Sequence, residues 1–73
     1  MTSYLTQAKF DELSAELEHM KRVGRAEASA AIAEAREKGD LSENAEYDAA
    51  KDAQGLLELK ISELSKVLSN SRV

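Results

Sequence analysis

The sequence has 73 residues, 33% of them charged, with one histidine, no cysteine, no proline and a formal net charge of −4. That length allows one small domain; the lack of cysteine excludes disulfides and thiolate chemistry, and His19 as the one imidazole argues against a zinc site of the usual kind. The acid excess argues against general nucleic-acid binding, which needs surplus Lys and Arg. No apolar run approaches the length of a membrane span and no signal peptide is visible, so a cytoplasmic protein with no membrane partner is expected.

Ser3-Tyr4-Leu5 reads as a short extended segment and Thr6 as the N-cap of a first helix. Phe10, Leu13, Leu17 and Met20 then recur at spacings of three and four, the seam of a coiled coil. Beyond Met20 the seam passes to smaller residues, Ala28, Ala31 or Ile32, and Ala35, which permit close helix approach but bury less area each. Gly24 lies within this helix at a cost of roughly 1 kcal/mol relative to Ala, so a bend or fray is expected there. Gly39 is the natural C-cap, with Lys38 placed against the carbonyl end of the helix dipole.

A second helix is expected to begin between Asp40 and Glu43. Its seam runs Ala50, Ala53, Leu57, Ile61, Leu64 and Leu68, with one departure from a strict heptad, and Gly55 weakens it locally. Ser69 to Arg72 reads as a cut or a linker. Small residues lie near the turn in both helices and large ones near the termini. The fold class is therefore all-α: two long helices, joined at residues 38 to 42, forming an antiparallel coiled-coil hairpin with an acidic tip, as one domain over residues 1–73. At ~1.5 Å per residue the finger would extend roughly 40–45 Å. Its best core is expected at the base, with Leu13, Leu17, Met20, Leu57, Ile61 and Leu64 buried.

The tip, Gly39 to Tyr47, holds Asp40, Glu43 and Glu46 and no basic residue. Like charges at a tight turn cost repulsion and need a reason. One reason is capping: Asp40-Leu41-Ser42-Glu43 has the form of a capping box. Alternatively Ser42 is the cap, and Asp40 and Glu43 project from the tip. An EF-hand calcium loop fails, because Ala45 stands where glycine is required and Lys51 where glutamate is required. Magnesium is a different case, since it commonly takes only one or two protein carboxylates. Asp40 and Glu43 could complete a site that a partner has half built.

The run Ala31-Ile32-Ala33-Glu34-Ala35-Arg36-Glu37-Lys38-Gly39-Asp40-Leu41-Ser42-Glu43-Asn44-Ala45-Glu46-Tyr47, followed by Ala49-Ala50-Lys51 and Gln54-Gly55, resembles the signature of the bacterial transcript cleavage factors GreA and GreB. Tyr4-Leu5-Thr6, Glu16-Leu17 and Met20-Lys21 resemble the family more loosely. The resemblance covers the family's first part only, an antiparallel coiled coil that enters the secondary channel of bacterial RNA polymerase. The family's second, globular part, which provides much of the docking, is not matched, so a weakly anchored finger is expected. Family members commonly carry a proline after the arginine in the middle of helix one, whereas here Ala26 follows Arg25.

The resemblance implies a protein cofactor rather than an enzyme, with no small-molecule substrate. It would stimulate the polymerase's own hydrolysis of backtracked nascent RNA at its 3′ end. Asp40 and Glu43 would help retain the second Mg²⁺ and orient the attacking water. That ion would be shared with the polymerase and not bound by the chain alone. Arg36 and Lys51 would touch extruded RNA phosphates, or else form a solvated basic face with a Glu34–Lys38 pair worth a few tenths of a kcal/mol. Asn44 would shape the turn or contact polymerase, and Tyr47 would pack at the tip or stack near RNA. Lys21, Arg22 and Arg25 read as a solvated cluster and His19 as a surface residue. The rival readings are a channel-binding regulator that does not cleave, and a purely structural or homodimerising coiled coil.

Overall fold

A computed structural model describes residues 3–38 and 44–73 of the chain. The chain runs β1 (Ser3–Tyr4), α1 (Gln7–His19), a π-helical turn (Met20–Gly24), α2 (Arg25–Glu37), α3 (Ala45–Ser69) and β2 (Ser71–Arg72). The first three helical pieces form one continuous arm, and α3 returns antiparallel to it. The molecule measures 50 × 21 × 11 Å.

Thr6 caps α1 as its chemistry suggests. Its backbone is extended and its hydroxyl accepts from the Lys9 N–H at 3.1 Å, satisfying one of the orphan donors of the first turn. At the base, β1 and β2 pair in parallel, Ser3 beside Ser71 and Tyr4 beside Arg72. The Leu5 N–H extends the ladder by donating to the Arg72 carbonyl at 2.9 Å. The polar segment expected to be a cut or linker is therefore β2. The Ser71 hydroxyl, which donates to the Val67 carbonyl, ties that strand to the end of α3.

The irregularity expected near Gly24 as a bend or fray is a π turn, and the helix does not fray. The Arg25 N–H reaches back five residues to the Met20 carbonyl, so one residue more than usual is wound into the turn. This decides between Ala31 and Ile32. At ~100° per residue, Ile32 would stand roughly 120° from the face of Met20 in a plain α-helix, while Ala31 would stand within ~20° of it. Absorbing one residue in the wide turn reverses that. Ile32 is buried and Ala31 exposed. Gly24 makes the close approach possible: a Cβ there would stand 3.2 Å from Leu57 Cδ1.

The core differs from expectation. Among the described residues only Ile32, Ala35 and Ile61 are buried. Leu13, Leu17, Met20, Leu57 and Leu64 are half-buried. In a two-helix layer a long side chain is covered by one neighbour only, and its far side stays wet. Small residues let the backbones close in, so the best-covered positions of the first arm lie in the alanine-rich half rather than at the base. On α3 Ala53 is exposed and Gln54 takes its place in the seam.

Away from the turn, one ion pair among the described residues crosses between the arms. Arg25 donates through Nε and Nη2 to the two carboxylate oxygens of Glu58 at 2.9 and 2.8 Å. This fork-to-fork geometry is the strong form of the interaction. Arg25, expected to be merely solvated, holds α2 to α3. Its partner is the reason the Glu58 carboxyl titrates below, and the Arg25 guanidinium above, their ordinary values.

Candidate functional site

The closed end of the hairpin brings the last turn of α2 against the first turn of α3. Asp40 and Glu43, the expected catalytic acids, lie outside the described residues. Asn44, Arg36, Lys51 and Tyr47 lie within them, at or just below the turn.

α3 begins at Ala45 and its N-cap is Asn44, whose side-chain oxygen accepts from the Tyr47 N–H at 3.0 Å. The capping role expected of Asp40 or Ser42 thus belongs to Asn44. Glu46 and Asp48 in the first turn of α3 suit the positive end of its dipole. The other half of the Asn44 carboxamide donates to the Ala35 carbonyl at 2.5 Å. Across the same gap the Lys38 ammonium meets the Glu46 carboxylate at 2.5 Å. That contact, and the charge of Glu46, hold the Lys38 pKa above its ordinary value. Lys38 was expected to pair with Glu34; the closure of the turn gives it Glu46 instead.

Arg36 lies with its guanidinium carbon 5.9 Å from the centroid of the Tyr47 ring, within cation–π range. Tyr47 is half-buried, as the packing reading expects. Arg36 and Lys51 also share a polar recess of about 250 Å³, with Ser29 and Gln54 on its walls. Neither cation pairs with a carboxylate among the described residues. The two helices therefore bring together two cations that are far apart in sequence, and leave both exposed.

The Asn44 bridge and the Lys38–Glu46 and Arg25–Glu58 pairs were not foreseen. Cap-type residues at three nearby positions, Asp40, Ser42 and Asn44, hid the true cap. The pairs had a usable signal in hairpin symmetry: Arg25–Glu58, Gly24–Leu57 and Lys38–Glu46 are all centred near roughly residue 41, as an αα-hairpin requires.

Residues 3–73 match the family model for the N-terminal part of the transcription elongation factors GreA and GreB. The chain belongs to the GreA/GreB family. It is similar to transcription elongation factor GreA of Christiangramia forsetii and of Flavobacterium psychrophilum, 62% identical to each over 71 residues. Those residues are 97% of this chain and 45% of each relative. It is also similar to GreA of Mycoplasma genitalium, 48% identical over 71 residues, 97% of this chain and 44% of that one. The chain thus spans somewhat under half the length of these relatives. Among the described residues no helix is long and apolar enough to cross a membrane.

Proposed function

We propose that the chain acts as the inserting arm of a transcript cleavage factor. It would enter the secondary channel of RNA polymerase and bring Asp40 and Glu43 to the catalytic centre, where backtracked RNA is hydrolysed. The observation that carries this reading is an arm 50 Å long and only 21 by 11 Å across, with the end of α2 and the start of α3 together at one end. Such a shape suits delivery of side chains into a deep, narrow cavity.

The donor set fits a shared ion. Asp40 and Glu43 are two carboxylates, the number Mg²⁺ commonly takes from protein, and would complete a site held chiefly by the partner. Mg²⁺ bound there would supply Lewis-acid activation of the scissile phosphate and of water. Asp40 and Glu43 would orient that water through hydrogen bonds. With Asn44 capping α3, neither acid is needed as the cap. Arg36 and Lys51, exposed and side by side, would balance the phosphates of the extruded strand.

The test is RNA sizing on a stalled, backtracked transcription complex, with and without the chain. Stimulated cleavage is expected from the parent and none from Asp40→Ala or Glu43→Ala, with helical content unchanged in both. Normal cleavage by either variant would remove that residue from the mechanism. Inhibition without cleavage by the parent would favour a non-cleaving channel regulator.

A further inference from the structure

We propose that Asn44 is the positioning residue of the tip. Its carboxamide ties the end of α2 to the start of α3, and it acts on cleavage through Glu43, the residue bonded to it. The proposal rests on the cleavage reading above.

Two backbone groups from facing helix ends meet at this point. The Ala35 carbonyl, among the last four of α2, accepts from the Lys38 N–H at 3.2 Å and has a second lone pair to offer; the Tyr47 N–H is among the first four of α3, which have no partner within the helix. Asn44 serves both, donating to the Ala35 carbonyl and accepting from the Tyr47 N–H. The bond across the gap is shielded: Ala35 is only 3% exposed and Asn44 is half-buried. The neighbouring Lys38–Glu46 contact is far more open to water, where ion pairs contribute little.

The chemistry is specific to a carboxamide. A carboxylate could cap α3 but could not donate to Ala35, and a serine hydroxyl could cap but not reach across. Asn44 is bonded directly to Glu43, with their Cα atoms ~3.8 Å apart. Its anchorage therefore bears on the acid next to it. Catalytic groups lose about a hundredfold when displaced by ~1 Å, so a loosened mouth costs turnover before it costs docking.

The experiment uses the full chain with a backtracked complex and compares Asn44→Asp and Asn44→Ser with the parent. Both variants retain a cap acceptor and lose the donor; the serine adds no charge. For both, the expected result is unchanged helical content and a fall of about tenfold or more in cleavage rate at saturating factor. The half-saturating concentration should move by less than about twofold, as expected of a residue that acts on turnover and not on docking. In an Asp40→Ala background the same substitutions should cause no further loss, as expected of residues acting through one another. Parent-like rates in both variants would overturn the proposal and leave the cleavage reading standing. So would a loss appearing only as weaker half-saturation, or an undiminished loss in the Asp40→Ala background. A parent that stimulates no cleavage would overturn the cleavage reading, and this proposal with it.

Discussion

Two glycines in helical segments offer a controlled contrast. Gly24 has helical dihedrals, φ −58° and ψ −46°, and Gly55 lies within α3. Replacing glycine by alanine in a helix gains about 0.5–1 kcal/mol where nothing obstructs the new methyl. At Gly55 nothing stands within 4 Å of a built Cβ, so the whole gain should be realised. At Gly24 the methyl would meet Leu57 Cδ1 at 3.2 Å and Cδ2 at 3.4 Å. Leu57 must give way by a few tenths of an ångström, and overpacking costs from about 1 kcal/mol upward. Gain and cost nearly cancel. Gly55→Ala should raise the melting temperature by roughly 2–8 °C, as expected for a domain of this size, while Gly24→Ala should leave it nearly unchanged. Thermal and urea melts followed by circular dichroism measure both. Equal stabilisation by the two substitutions, or greater stabilisation at Gly24, would refute the close contact with Leu57.

Ile61→Ala should destabilise the hairpin by about 2–4 kcal/mol, because Ile61 is 5% exposed and its removal leaves a cavity. Leu56→Ala, at a position 60% exposed, should change stability by less than about 0.5 kcal/mol in the same denaturation assay. The Arg25–Glu58 pair should appear in the pH dependence of stability. Arg25 holds the folded-state pKa of Glu58 below its ordinary value, so in that window the unfolded chain binds more protons and stability rises with pH. The contribution is present above the ordinary carboxylate pKa and is lost as acid carries the pH down through the folded value. Melts of Glu58→Gln between neutral and acid pH should show a shallower acid decline than the parent; an identical decline would show that the pair does not matter in solution.

Much of this architecture was legible because local chemistry and global packing agree. Thr6 reads as a cap and is one. The absence of proline and the apolar seams from Phe10 to Met20 and from Leu57 to Leu68 give two antiparallel helical arms; the C-cap expected at Gly39 lies outside the described residues. What could not be read needed the third dimension. The half-burial of Leu13, Leu17, Met20, Leu57 and Leu64 follows from a single layer with no second sheet of helices to cover them, and a heptad does not say how many partners it has. Ser71 and Arg72 became a strand only because β1 lies beside them. In the candidate site, the carboxylates stood out by composition and by resemblance, whereas the Asn44 bridge depends on which of three cap-type residues wins. Arg36 and Lys51 were legible as a pair only through family resemblance, since their juxtaposition needs the register of the hairpin.

The wide turn at Met20–Gly24 also makes the arm unevenly tolerant of changes in length. A single-residue deletion elsewhere in a helix swings every later side chain by ~100° about the axis. Inside this turn the surplus residue is already wound in, so removing one would return the segment to a plain α-helix with Ile32 and Ala35 still facing α3. The same turn marks the arm's torsional weak point: if it relaxed to α-helical geometry with no residue removed, Ile32, Ala35 and Arg36 would all leave their present faces. The contacts that oppose such a rotation, Gly24 against Leu57 and Arg25 with Glu58, lie at the end of the turn and just past it.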